Sequence, residues 1–109
     1  NDFGFEYLFA RQIEALGRTG DVAVGISTSG TSPNVLKALE QARKQGLITV
    51  GLTGGKATSK MNDYCDIVLP VPSETTARIQ EMHITLGQML CGALEQSLGY
   101  VTVEKKEVA

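Results

Sequence analysis

Apolar positions along the chain change period several times, and the changes mark its elements. In "FGFEYLFARQIEALGR", Phe5, Leu8, Phe9, Ile13 and Leu16 recur at three- and four-residue intervals. That spacing lines one face of a helix, and Gly17 and Gly20 stop it. "DVAVGIST" is a short valine-rich run without that period, which predicts a buried strand. "SPNVLKALEQARKQG" returns to helical spacing at Val35, Leu36, Leu39 and Ala42 and ends at Gly46. "LITVGLTG" reads as a second buried strand and "CDIVLPV" as a third. Pro70 either ends that third strand or places it at an edge, because proline has no N–H for a ladder.

The longest predicted helix covers about 75–98. At 100° per residue, Arg78, Glu81, Thr85, Gln88, Glu95 and Gln96 form one polar stripe, and residues such as Ile79, Met82, Leu86, Leu90 and Leu94 fill most of the remainder. A helix apolar over so much of its surface is expected to be buried on more than one side, its extra face meeting another subunit. Strands alternating with helices predict right-handed crossovers and a doubly wound, parallel α/β sheet. Only three strands are predicted, and the first helix starts almost at Asn1, so the chain is expected to be the later part of a larger one.

Composition narrows the classes. A chain of 109 residues suits one domain, and 42% hydrophobic with 20% charged residues suits a globular fold rather than a disordered one. A net charge of −2 with scattered Lys and Arg lacks the electrostatic footprint of a nucleic-acid binder. No apolar run has the length of a membrane span and no signal-peptide pattern is present, so a cytoplasmic location is expected. Cys65 and Cys91 lack metal-ligand spacing and are expected to be buried thiols in a reducing compartment. Positions from about 100 to 109, with "VEKKEV", read as a solvated polar tail.

The candidate chemistry lies in "GISTSGTSPN", residues 25–34. Ser32 suits a helix N-cap and Pro33 the first helical position. The free N–H groups of that first turn, with the hydroxyls of Ser27, Thr28, Ser29 and Ser32, suit a phosphate dianion, and Gly30 lets the backbone come close to it. The GxxxxGK[ST] spacing and its lysine are missing, so the expected ligand is a phosphomonoester on a small molecule rather than a nucleoside triphosphate. A second turn, "LTGGKATSKM", offers Lys56 and Lys60 as a cation near the same rim, or is simply a surface loop.

"GISTSGTSPNVLKALEQAR", "GLTGGK", "ARIQEMH" and "NDFGFEYLFARQIEALGR" together resemble the sugar isomerase (SIS) domain, most closely the phosphoheptose isomerases. The resemblance runs to about Leu98 and matches the C-terminal part of that family. It implies a flavodoxin-like sheet order and interconversion of sedoheptulose 7-phosphate with D-glycero-D-manno-heptose 7-phosphate, in the supply of heptose for envelope lipopolysaccharide. It also implies a cytoplasmic homotetramer with sites between subunits, often holding zinc. The family's substrate contacts fall on Asn1, Asp2, Ser27, Thr28, Ser29, Ser32 and Gln80, and Gln80 also approaches the metal.

Two departures stand out. Eight residues after the glutamine the family has a histidine for proton transfer and metal binding, where this chain has Gln88. An amide has no useful pKa for acid–base work. The family's earlier half, with a second phosphate loop and a catalytic glutamate and histidine, has no counterpart in the sequence. On a straight helix, positions 80 and 88 are about 12 Å and about 80° apart, so a metal shared by Gln80 and Gln88 would draw on two subunits. The one histidine, His83, reads either as a satisfied interface residue or as a catalytic one.

The chain alone is therefore expected to bind sugar phosphate weakly and to turn over nothing. The rival is a non-catalytic SIS protein, either sugar-phosphate-sensing or replication-initiator-associating, which the missing histidine favours and the complete hydroxyl turn opposes. A receiver module sharing only the topology is disfavoured, because the strand exits are Ser, Thr and Gly rather than acidic.

Overall fold

The computed structural model of the protein describes residues 4–55 and 60–100. A 3-10 turn (Phe5–Tyr7) leads into α1 (Leu8–Leu16), followed by β1 (Val22–Ile26), α2 (Pro33–Lys44) and β2 (Ile48–Thr53). A second 3-10 turn (Met61–Asp63), β3 (Ile67–Pro70) and α3 (Thr76–Ser97) complete the order. The three strands form one parallel sheet in the order β1-β2-β3. Pro70 is the last residue of an outer strand, opposite Thr53, as a residue without an N–H requires.

One face of the sheet is made flat by glycine. Gly25 and Gly51 are neighbours in register. A Cβ on Gly25 would lie 3.0 Å from Leu39 and Val35 of α2, and one on Gly51 would lie 2.5 Å from the Met61 sulfur. Leu39, Met61 and Cys65 form the core on this face, with Val35, Leu36, Tyr64 and Val68 packed around them. Burial pushes the Cys65 thiol pKa up, Arg43 opposes that shift and Asp66 adds to it.

At the amino edge of the sheet, Asp66 Oδ2 accepts the Thr49 N–H at 2.9 Å. That bond is the largest of the influences holding the exposed Asp66 carboxyl below its ordinary range.

Among the described residues the other face is only partly covered, with Leu52 of β2 buried on it. Val22, Val24 and Ile26 of β1, Ile48 of β2 and Ile67 of β3 are each about half exposed. β1 is thus an edge strand with one face uncovered, not the buried strand its composition predicts. The same holds for α3, on which only Ile79 and His83 are buried, while Met89, Leu94 and Leu98 are more than half exposed. Within the described residues nothing packs on its second apolar side. Both cysteines are free thiols, Cys65 buried and Cys91 exposed, so the expectation of two buried thiols holds for Cys65 only.

Candidate functional site

In a parallel sheet all strands end on one edge, so the turns after β1 and β2 lie side by side and α3 starts beside them. The turn after β1 organises itself around one buried hydroxyl. Ser27 Oγ lies 2.8 Å from Ser32 Oγ and 3.3 Å from Ser29 Oγ, and it accepts the Gly30 N–H at 3.0 Å. Gly30 takes φ +69°, a conformation that costs glycine little and other residues more, and this folds its N–H back onto Ser27. Its contribution is therefore inward, to the shape of the turn, rather than a close approach to a ligand.

Ser32 is the N-cap of α2 with Pro33 following, as expected, but its side chain makes no cap bond. It is turned to Ser27 instead. The first turn of α2 is left without a hydroxyl cap, but Pro33 has no N–H and Asn34 Oδ1 accepts the Val35 N–H at 2.9 Å, so this end offers an anion the Asn34 N–H and the helix dipole.

The turn after β2 is close-packed. A Cβ on Gly54 would sit 2.5 Å from Ile79 Cδ1 and 2.6 Å from the Thr28 carbonyl oxygen, so this glycine joins the hydroxyl turn to α3. Gly55 N–H donates to the Ser73 carbonyl at 3.0 Å. His83 Nε2 lies 2.9 Å from the Thr53 carbonyl oxygen, a second tie between α3 and the end of β2.

These contacts shape a cleft of about 710 Å³ lined by Ile26, Ser27, Thr28, Ser32, Gln80, His83, Ile84 and Gly87. Five of the expected site residues meet there: Ser27, Thr28, Ser32, Gln80 and His83. Ser29 lines an adjoining hollow of about 350 Å³ that shares Thr28 with the cleft, with Thr31, Ser73, Glu74, Thr76 and Ile79. Asn1, Asp2, Lys56 and the tail from 101 lie outside the described residues. Lys60 lines neither hollow, so the idea of a rim cation has no support from it.

The described residues do not make a zinc site. Gln88 is exposed and does not line the cleft that Gln80 lines, and both would offer only neutral amide oxygens. His83 has its Nε2 on a carbonyl and offers at most its buried Nδ1, a single nitrogen where zinc takes three or four protein ligands. Among the described residues no group of three His, Cys, Asp or Glu side chains could hold a metal ion.

Sequence reading missed the apolar wall of the cleft, Ile26 and Ile84, because these positions read as core. It also missed Gly54 as a packing residue. The pair of glycines in "LTGG" is the one signal that marks a close approach there.

Among known proteins, the SIS domain matches residues 1–54. Over 97 residues the chain is 54% identical to a phosphoheptose isomerase of a Nitratiruptor species, covering 89% of this chain and 51% of that protein. It is 52% identical over 98 residues to the phosphoheptose isomerase of Rhodospirillum rubrum, covering 90% of this chain and 52% of that protein. A solved phosphoheptose isomerase structure from Francisella tularensis superposes with a TM-score of 0.82 at 41% identity, over 86% of this chain and 50% of that one. The corresponding structure from Neisseria gonorrhoeae gives 0.81 at 45% identity, over 85% and 52%. The chain spans about half the length of the curated relatives it matches.

Proposed function

The chain belongs to the SIS-domain family, and we propose that it supplies the phosphate-gripping half of a sugar-phosphate isomerase site. The observation that carries this reading is the convergence of Ser27, Thr28, Ser32 and Gln80 on one cleft at the start of α2. The substrate pair we propose is sedoheptulose 7-phosphate and D-glycero-D-manno-heptose 7-phosphate, a choice compatible with relatives named phosphoheptose isomerase. A homotetrameric assembly is part of the same proposal, with the exposed apolar side of α3 as its contact.

In this reading the phosphate sits against the α2 N-terminus, where the Asn34 N–H, the helix dipole and the Thr28 and Ser32 hydroxyls neutralise it. Ser27 keeps the turn in shape. Holding one end of an open-chain sugar contributes orientation rather than chemistry. Gln80 hydrogen-bonds the sugar. Isomerisation through a cis-enediol also needs a base to take a proton from carbon, and among the described residues no carboxylate lines the cleft. The base is assigned to residues beyond those described.

That same lack of a carboxylate, together with Gln88 lying outside the cleft, favours a second reading as a non-catalytic sugar-phosphate-sensing protein.

Titration of the isotope-labelled protein with sedoheptulose 7-phosphate tests the site. Backbone shifts are expected to concentrate at 27–32 and at Gln80, and a spectrum unchanged there defeats the proposal. Assaying the same sample for aldose–ketose conversion separates the two readings. Binding without turnover by the 109-residue chain is the expected result, and turnover would place the base among these residues.

A further inference from the structure

The described residues hold two buried side-chain polar atoms without a partner, Thr53 Oγ1 and His83 Nδ1, both at the junction of β2 and α3. The other ring nitrogen explains the second. The Thr53 carbonyl oxygen meets His83 Nε2 at 2.9 Å and also accepts the Val71 N–H at 2.9 Å. A carbonyl only accepts, so the proton of this bond is on Nε2 and both oxygen lone pairs are used. With Nε2 so engaged, Nδ1 is buried and has no partner.

A residue of similar size without nitrogen, such as leucine, would fill the space and leave no orphan acceptor. What it would not supply is direction. Ile79 and His83 are the two buried residues of α3. Ile79 makes an apolar contact at Gly54, which tolerates sliding and rotation of the helix, whereas the Nε2–H bond fixes one rotation. Gln80 lies between them, one turn before His83, so its placement in the cleft depends on that rotation. A turn of α3 by one residue position, about 100°, would carry Gln80 away from the hydroxyl turn.

We infer that His83 is a positioning residue of the cleft, whose Nε2–H pins α3 to the Thr53 carbonyl so that Gln80 faces the hydroxyl turn. The inference rests on the reading of this cleft as a sugar-phosphate site, with Gln80 on the sugar.

The test titrates the wild-type protein and the variants H83Q, H83N and H83L with inorganic phosphate and with sedoheptulose 7-phosphate. A glutamine places an amide N–H where Nε2 stands, while asparagine reaches only the Nδ1 position. H83Q is expected to bind the sugar phosphate within about twofold of wild type, and H83N and H83L roughly three- to tenfold more weakly, the worth of one hydrogen bond. Inorganic phosphate, which does not reach Gln80, should bind all four proteins alike. Unchanged sugar-phosphate affinity in H83L overturns the inference. So does an H83Q loss equal to that of H83L, or phosphate affinity falling in step with that of the sugar.

Nitrogen NMR of the chain's one histidine provides a readout that needs no ligand. The inference requires a protonated Nε2 and a bare Nδ1, and Gln80 side-chain amide signals shared by wild type and H83Q but moved in H83L. The opposite tautomer, or amide signals that ignore the variants, overturns it. If wild type binds neither ligand, the sugar-phosphate reading fails, and these two spectra alone decide the role of His83.

Discussion

The two turns that leave the sheet at its carboxyl edge are neighbours, yet they are built by opposite means. After β1 the chain places small hydroxyl side chains around a buried Ser27, whose oxygen holds Ser32 and the Gly30 N–H. After β2 it places glycines with no side chain, so that Ile79 and the Thr28 carbonyl can close over Gly54. The first turn leaves polar groups and a helix N-terminus facing a cleft. At Gly54 the second brings α3 close enough for Gln80 to form the opposite wall. A binding site of this kind needs both a turn that presents groups and a turn that gets out of the way.

The largest effect should come from breaking the close-packed turn. Gly54→Ala puts a methyl group 2.6 Å from a backbone oxygen, and backbone yields less readily than a flexible side chain. Destabilisation of about 1–3 kcal/mol is expected in urea unfolding, the range for overpacking. An unchanged midpoint would mean that the second turn is a loose surface loop and that the contrast is false.

Ser27→Ala should cost less, about 1 kcal/mol, because it removes the hydroxyl bonds to Ser32 and to the Gly30 N–H, which keeps the Ser27 carbonyl at 3.2 Å as a partner. It should also weaken phosphate binding, which Gly54→Ala disturbs less directly, through the Thr28 main chain and the position of α3. A stability loss with phosphate affinity intact would show that the hydroxyl turn is a structural device and not a cradle.

The smallest effect tests the opposite edge of the sheet, where a carboxylate does what hydroxyls do at the first turn. The Asp66 carboxyl is held below its ordinary range chiefly by the Thr49 N–H. A group whose folded pKa is lowered contributes stability above the ordinary carboxyl range, about pH 4, and loses it as pH falls through the folded value. Asp66→Asn should therefore flatten the fall of stability below about pH 4 while leaving ligand binding at the far edge unchanged. An identical acid limb in the variant would remove Asp66 from the account.

Local order was legible along the chain because it depends on local chemistry. Helical spacing at Val35, Leu36, Leu39 and Ala42 marks α2, the Ser-Pro pair marks its start, and Pro70 marks the end of an outer strand. The clustering of Ser27, Thr28 and Ser32 at a strand-to-helix turn was likewise visible, since neighbours in sequence stay neighbours in space.

What only the tertiary structure decided is the direction each group faces and what covers it. Val24 and Leu52 are equally apolar and both lie in strands, yet the first is exposed and the second buried, because burial depends on neighbours that stand far along the chain. Ser32 turned to Ser27 rather than to its own helix, and Ser29 lines a different hollow from the one Ser27 lines. His83 was one polar residue on an apolar arc until the Thr53 carbonyl, thirty positions away, assigned its proton. Hydrogen bonds are directional and short, so their partners are known only once the fold has brought distant segments within about 3 Å.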